Sequence, residues 1–164
     1  GIRMKYLVRE KIFTIADKFT IEDVEGYPQY EVVGEIFTFG NKLRLYDMNG
    51  NELIYIEQKL FRFLPEYYIY KNGSKLAMIK KEFTFFKPQF IIESSYGDLS
   101  IEGDIFCHEF NILKNGMIIA QISKKWISFS DTYSIDIIEG EDDPFILAIV
   151  ITLDQVFYDG QNNN

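Results

Sequence analysis

The 164-residue sequence is almost without cysteine and histidine, the residues on which thiol catalysis and most zinc sites depend. It contains one cysteine, Cys107, and one histidine, His108. A single cysteine excludes an internal disulfide and is typical of a reducing compartment. The sequence also lacks a Cys/His cluster for zinc, a G-x-S-x-G elbow, a Walker A loop, a Rossmann fingerprint and an H-E-x-x-H helix. We therefore expect no catalytic residue, no metal site and no cofactor.

Positive charge is also scarce, with 17 Lys and Arg against 25 Asp and Glu and a formal net charge of −8. Domains that bind nucleic acid are normally basic, so we expect no nucleic-acid partner. No apolar run reaches the length of about 20 residues that a membrane span needs. Charged residues also interrupt the N-terminal apolar residues, which argues against a signal peptide. The sequence favours a cytoplasmic protein, either free in solution or peripheral to a membrane.

The rest of the chain is aromatic-rich and is divided into short pieces by glycines spaced about 24 residues apart. The segments that follow four of these glycines align without gaps, and their eighth residue is always phenylalanine (Phe39, Phe63, Phe86 and Phe129). Asn49-Gly50, Asn72-Gly73 and Asn115-Gly116 favour type I′ hairpin turns. Alternating apolar residues put one face of each strand inward. About a dozen antiparallel strands result.

One segment does not fit this pattern, because DDPFILAIVITLDQVFYDG (Asp142–Gly160) is almost unbroken hydrocarbon from Phe145 to Leu153. Asp142 and Asp143 favour a helix start, Pro144 suits the first helical position, and Gly160 suits a helix end. A helix that is apolar on all sides belongs in a core when it is too short to span a membrane. We predict a closed, mainly β, antiparallel barrel of about twelve strands around a central hydrophobic C-terminal helix, at about 143–158.

This barrel is predicted to be a single domain over residues 4–160. Residues 1–3 are interpreted as a cloning remnant ahead of Met4, and residues 161–164 as a polar tail. An open solenoid is the rival architecture, since its repeats have a similar period. The absence of a capping unit and the atypical last segment argue against it.

Several segments, in a fixed order, carry a family resemblance over nearly all of residues 4–159. They are FTIADKFTIEDVEG (Phe13–Gly26), YEVVG (Tyr30–Gly34), LRLYDMNGNEL (Leu43–Leu53), ISKKW (Ile122–Trp126), DTY (Asp131–Tyr133) and the apolar C-terminal helix. The sequence resembles the LURP-one-related family, which shares a superfold with tubby C-terminal domains and phospholipid scramblases. The resemblance implies a twelve-stranded barrel around a hydrophobic helix. It also implies phosphoinositide binding through surface basic residues in tubby-like members, but it assigns no ligand residue to a position of this chain.

Basic residues recur in the same part of three repeat units, and they are the candidate ligand-binding residues: Lys59, Arg62, Lys80, Lys81, Lys87, Lys124 and Lys125. If the units pack side by side, these charges gather into a belt that attracts an anionic headgroup. Tyr68, Tyr70, Phe85 and Trp126 are candidates for an amphipathic rim, while core packing is expected for most other aromatics. The alternative is that the lysines only keep strand edges soluble.

Two other groups of residues are given structural roles. Cys107 and His108 would point to opposite faces of a strand, so one is expected in the core and the other on the surface, not as a nucleophile–base pair. The acidic run Glu139, Glu141, Asp142 and Asp143 lacks the spacing of an EF-hand loop, and helix capping in a solvated loop explains it better than calcium binding.

Three functional hypotheses follow. The first is a non-catalytic intracellular binding module for an anionic phospholipid headgroup, such as a phosphoinositide, or for a protein. The second is an enzyme of unknown type that uses surface carboxylates. The third is scramblase-like handling of membrane lipids, which the short apolar run disfavours.

Overall fold

The computed structural model describes residues 3–9, 18–37, 40–125 and 131–162, with side chains described except at 36–37 and 157–162. These residues form twelve strands and one helix. The elements are β1 (Arg3–Arg9), β2 (Lys18–Asp23), β3 (Pro28–Phe37), β4 (Gly40–Asp47), β5 (Glu52–Gln58), β6 (Glu66–Lys71), β7 (Ser74–Lys81), β8 (Phe90–Ser94), β9 (Leu99–Asp104), β10 (Glu109–Lys114), β11 (Met117–Ser123), β12 (Thr132–Ile138) and α1 (Asp143–Asn162). β1 begins at Arg3 and α1 ends at Asn162, slightly outside the predicted limits of 4 and 160.

All twelve strands belong to one antiparallel sheet with the order β8-β7-β6-β5-β4-β3-β2-β1-β12-β11-β10-β9. The ladder between β1 and β12, from Arg3↔Ile138 to Arg9↔Thr132, joins the first strand to the last. The barrel is nearly closed, but not completely, because no ladder between β8 and β9 is found within the described residues. The flanks of the turn between them pair elsewhere: the Ser95 N–H donates to Leu76, and the Asn115 N–H donates to Asp98.

The two ends of the barrel have different connections. One end, here called the turn end, carries the connections 24–27, 48–51, 72–73, 95–98 and 115–116 together with the start of the helix. The other end, here called the loop end, carries the longer connections 59–65 and 82–89, the turn 105–108, and the β11–β12 connection, which is described only at 124–125 and 131. Loops at one end of a barrel are free to vary without disturbing the ladders, so they commonly carry function.

The Asn-Gly pairs form hairpin turns as predicted, but only two of the three have type I′ geometry. Asn72 and Gly73 have φ of 50° and 78°, and Asn115 and Gly116 have φ of 51° and 83°. The type predicted at Asn49-Gly50 is wrong, because only Gly50 has a positive φ there. Asp47 is the physical reason: its Oδ1 accepts from the backbone N–H of Asn49 and of Asn51, both at 2.9 Å, and so organises a longer turn.

The helix fills the barrel, as the sequence predicted. Its side chains from Phe145 to Leu153 are buried, and they pack against the inward residues of the strands, such as Leu43 and Ile135. Asp142 caps the helix by accepting from the Phe145 N–H at 3.2 Å, and Pro144 is the second helical residue, not the first. The helix continues through Gly160 to Asn162, since one glycine disfavours a helix by only about 1 kcal/mol. Within the described residues no helix combines the length and apolarity needed to cross a membrane.

Candidate functional site

The seven candidate basic residues lie in loop-end connections or at the adjoining strand ends. Lys59 and Arg62 are in the β5–β6 connection, Lys80 and Lys81 end β7, and Lys87 is in the β7–β8 connection. These five residues belong to adjacent strands, and the Lys81 N–H donates to the Pro65 carbonyl at 3.0 Å, which joins the two connections.

Lys124 and Lys125 begin the separate β11–β12 connection. Glu109 holds this connection, because its Oε1 accepts from the Lys124 N–H at 2.9 Å and its Oε2 from the Ser123 hydroxyl at 2.8 Å. The structure therefore places five of the seven basic residues in neighbouring segments and the other two in a different segment of the same end.

Lys59 and Arg62 are already engaged by carboxylates. The Lys59 Nζ lies 3.1 Å from Glu57 and 4.5 Å from the centroid of the Tyr68 ring, and the Arg62 Nε lies 3.0 Å from Glu66. Hydrogen bonds that Lys59 donates to Tyr70 and Glu57 raise the pKa of Lys59, and the bond that Arg62 donates to Glu66 raises the pKa of Arg62. Both residues stay charged, but part of their charge is compensated within the protein.

Lys80, Lys87 and Lys125 are exposed. Lys87 and Lys125 make no ion pair with any residue that the structure describes. Lys80 is the cross-strand partner of Glu66, which shares its outward face. The charges most available to an external anion are thus those of Lys80, Lys87 and Lys125.

The loop end also exposes a set of phenylalanines that sequence reasoning assigned mostly to the core. The side chains of Phe61, Phe63 and Phe86 are 99%, 93% and 97% exposed. The whole set, here called the loop-end phenylalanines, is Phe61, Phe63, Phe83, Phe85, Phe86 and Phe106. A signal existed in the sequence, because Phe63 and Phe86 are the eighth residues of aligned repeat copies, next to a predicted bend. Their counterparts Phe39 and Phe129 lie outside the described residues.

The proposed aromatic rim is only partly in place. Phe85 is exposed in the β7–β8 connection and forms an edge contact with Phe83, with ring centroids 5.2 Å apart. Tyr68 and Tyr70 are half-buried on β6, where they pack against each other and against Lys59. Trp126 lies outside the described residues.

Cys107 and His108 lie in the turn between β9 and β10, not on a strand, and Cys107 is exposed while His108 is buried. A hydrogen bond with Asp104 raises the pKa of the Cys107 thiol, which disfavours the reactive thiolate. One of the two residues is therefore buried and the other exposed, as expected, although both lie on a turn and not on a strand.

His108 instead contacts the central helix. Its Nε2 lies 2.6 Å from Oδ1 of Asp154, and its ring stacks on Tyr133 with centroids 4.0 Å apart. The Tyr133 hydroxyl donates to Oδ2 of the same aspartate. One carboxylate of the helix is therefore held by a turn and a strand of the barrel. Sequence reasoning missed this contact, because 46 residues separate His108 from Asp154.

The acidic run lies at the turn end and is used to hold the helix start. Asp142 Oδ2 accepts from Tyr96 at 2.7 Å and from Lys71 at 3.1 Å, while Lys114 donates to Glu141 at 2.8 Å. The Tyr6 hydroxyl donates to Asp143 at 2.5 Å. An open cleft of about 490 Å³ adjoins these residues, between β1, β3 and the start of the helix. No group of three or more potential metal ligands occurs among the described residues.

Comparisons with known proteins agree with this architecture. A family model described as LURP-one-related matches residues 4–154. The uncharacterized protein YxjI of Bacillus subtilis is 33% identical over 161 residues, which are 98% of each chain. The crystal structure of a protein from Arabidopsis thaliana superposes with a TM-score of 0.66 at 19% identity, over 94% of this chain and 91% of that one. The last similarity concerns the fold alone.

Proposed function

The chain belongs to the LURP-one-related family, and within it we propose that this protein is a non-catalytic binding module whose loop end binds an anionic phospholipid headgroup. The observation that carries the proposal is the separation of charge along the barrel. The loop-end connections and adjoining strand ends carry the exposed lysines Lys80, Lys87 and Lys125, whereas the segment 139–143 at the opposite end contains four carboxylates. Such separation can orient the loop end towards an anionic surface although the net charge of the protein is negative. The reason is that the local field at the loop end is more positive than the average over the molecule.

The non-catalytic part of the proposal is supported by the way in which two half-buried aspartates of the helix region are used. Asp142 caps the helix and binds Tyr96 and Lys71, and both oxygens of Asp154 face His108 and Tyr133. A general acid or base must be within reach of a substrate proton. These carboxylates are instead occupied by contacts that fix the helix inside the barrel.

The test is co-sedimentation with vesicles of neutral lipid, neutral lipid with phosphatidylserine, and neutral lipid with a phosphoinositide, each at low and physiological salt. We expect binding to the anionic vesicles that weakens as salt rises, because surface charges are screened over about 8–10 Å at physiological ionic strength. The charge-reversal variant is Lys87→Glu/Lys125→Glu, which alters two exposed loop-end lysines. Lys80→Glu is avoided because it would place two carboxylates opposite each other at Glu66.

The matched control is Lys75→Glu at the turn end, compared with the single loop-end variant Lys87→Glu, because each changes the net charge equally and neither removes an ion pair among the described residues. Binding that is lost in the loop-end variant and kept in the control supports the proposal. Equal loss in both variants would mean that net charge alone governs association. Absence of binding at low salt, where attraction is least screened, would remove the lipid ligand and leave a protein partner as the ligand to be sought.

A further inference from the structure

We propose that the loop-end phenylalanines enter the interfacial layer of an anionic bilayer, so that the protein docks with its barrel end on the membrane and its acidic turn end pointing away. This inference rests on the proposed function, and it adds a hydrophobic anchor to the electrostatic attraction.

These exposed side chains are large and apolar, and they lie at one end of the barrel. Large apolar groups exposed together on a water-soluble domain mark an interaction surface. Among the residues with described side chains, every exposed phenylalanine lies in a loop-end connection, and Phe61 and Phe86 are almost wholly in solvent. The turn end also exposes apolar residues, such as Val24, Tyr27 and Met117, but its described side chains include no exposed phenylalanine.

The connections that carry them are ordered by specific bonds. Arg62 donates to the Leu60 carbonyl at 3.3 Å and to Glu66 at 3.0 Å, and so spans the β5–β6 connection. In the β7–β8 connection the Thr84 hydroxyl donates to the Lys87 carbonyl at 2.8 Å, and the Glu82 N–H donates to Gln89 at 2.8 Å. The exposed rings are therefore held at the tips of organised loops.

Phe61 carries a second sign of functional constraint. Its φ of 58° is in the left-handed region, which bulky residues rarely adopt. Strain of this kind persists where the surroundings enforce it, and it occurs at binding and functional sites. Here the strained backbone directs into solvent a side chain that would be expected in the core.

A bilayer surface suits this arrangement because basic and aromatic residues are neighbours in both connections. Arg62 lies between Phe61 and Phe63, and Lys87 follows Phe86. Aromatic rings favour the interfacial layer of a membrane, while Lys and Arg stay at the level of the anionic headgroups. Several loops at one barrel end can reach one planar surface together, whereas the carboxylates of 139–143 lie at the far end, away from the negative lipids.

The experiment measures the environment of a label at the loop end. In a Cys107→Ser background, an environment-sensitive fluorophore is attached at Phe61→Cys, and a control label is attached at Val24→Cys of the turn end. On addition of phosphatidylserine-containing vesicles, we expect a blue shift and quenching by bromolipids at position 61 and neither at position 24. Phe86→Cys provides a second labelling site if the strained position 61 does not tolerate the change.

The unlabelled variant Phe61→Ser/Phe63→Ser/Phe86→Ser complements the label. We expect its vesicle partitioning to fall at least about tenfold, because three exposed aromatic groups can no longer leave water. Its thermal midpoint should stay unchanged, since these side chains are nearly fully exposed in the fold. Co-sedimentation measured at high salt should depend on the phenylalanines, whereas the lysine contribution should be screened.

The possible failures are distinguishable. Binding to anionic vesicles with an unprotected label at both loop-end positions would overturn insertion and leave headgroup binding intact. Absence of vesicle binding at low salt would overturn the proposed function as well. A wild-type dimer in sedimentation velocity that dissociates in the serine variant, without any lipid effect, would assign the surface to contact between two copies and overturn the membrane proposal.

Discussion

Two neighbouring aspartates at the start of the helix have opposite electrostatic consequences. Burial alone would raise the pKa of Asp142, but hydrogen bonds from Tyr96, from Lys71 and from the Phe145 N–H outweigh it and hold that pKa below its usual value. Burial raises the pKa of Asp143, and the nearby charges of Asp142 and Glu141 act in the same direction against the Tyr6 bond. Asp142 therefore favours the folded state when ionised, whereas ionised Asp143 disfavours it.

We predict that Asp142→Ala lowers the free energy of unfolding by about 1–2 kcal/mol at pH 7 through the loss of the cap. The contribution of a carboxyl with a lowered folded pKa is present above its unfolded pKa of about 3.9 and is lost as the pH falls through the folded pKa. The deficit of the variant should therefore shrink below about pH 4. Urea denaturation at neutral and acidic pH measures this difference.

Asp143→Asn is the matched comparison, because the amide oxygen still accepts from Tyr6. A carboxyl whose pKa is raised in the folded state, such as that of Asp143, stabilises the fold at low pH. This contribution is lost as the pH rises through the folded-state pKa. This variant should equal or exceed the wild type in stability at pH 7 and lose that advantage on acidification. If Asp142→Ala lowered the free energy of unfolding equally at neutral and acidic pH, the electrostatic explanation would be wrong. The geometry of the cap would then be the only contribution of Asp142.

At the scale of the element, the central helix determines whether the sheet can enclose a core. Ile149 is fully buried, and its neighbours on α1 are buried on all sides. We predict that Ile149→Asp prevents folding, because it introduces an unpaired charge into an apolar interior. Ile149→Val is the control, with an expected loss of about 0.5–1.5 kcal/mol. Circular dichroism and thermal melts distinguish the two outcomes, and an Ile149→Asp variant that melts like the wild type would refute the buried position of the helix.

The elements that were predictable from sequence are those determined by local chemistry. Asp142 and the apolar run after it indicate a buried helix even though Ile and Val favour strands. The type I′ turn predicted at Asn49-Gly50 is wrong because the side chain of Asp47 accepts hydrogen bonds from the backbone N–H groups of Asn49 and Asn51. The contact of His108 with Asp154 had no local signal, since it depends on how the helix enters the barrel. The exposure of Phe61 and Phe63 contradicts the usual burial of phenylalanine, and only the tertiary fold reveals it.

At the scale of the whole molecule, the described strands leave the barrel without a ladder between β8 and β9. Among the residues that the structure describes, β8 pairs only with β7 and β9 only with β10. The turn that connects them is instead tied to the helix, because Tyr96 packs on Phe145 with centroids 4.8 Å apart and donates to Asp142. The helix thus helps to hold together the place where the hydrogen-bonded sheet ends.

This discontinuity predicts where the barrel opens first. Local opening begins in regions where fewer hydrogen bonds must break. Edge strands are such regions, because only one of their two sides is paired in a ladder. In hydrogen exchange followed by mass spectrometry, peptides covering 90–94 and 99–104 should exchange faster than peptides covering 41–47 and 52–58, whose strands each have two partners. Tyr96→Ala should widen the difference, because it removes the ring contact and the bond to Asp142. Equal protection of the two groups of peptides would show that β8 and β9 are joined in solution as firmly as the other strands.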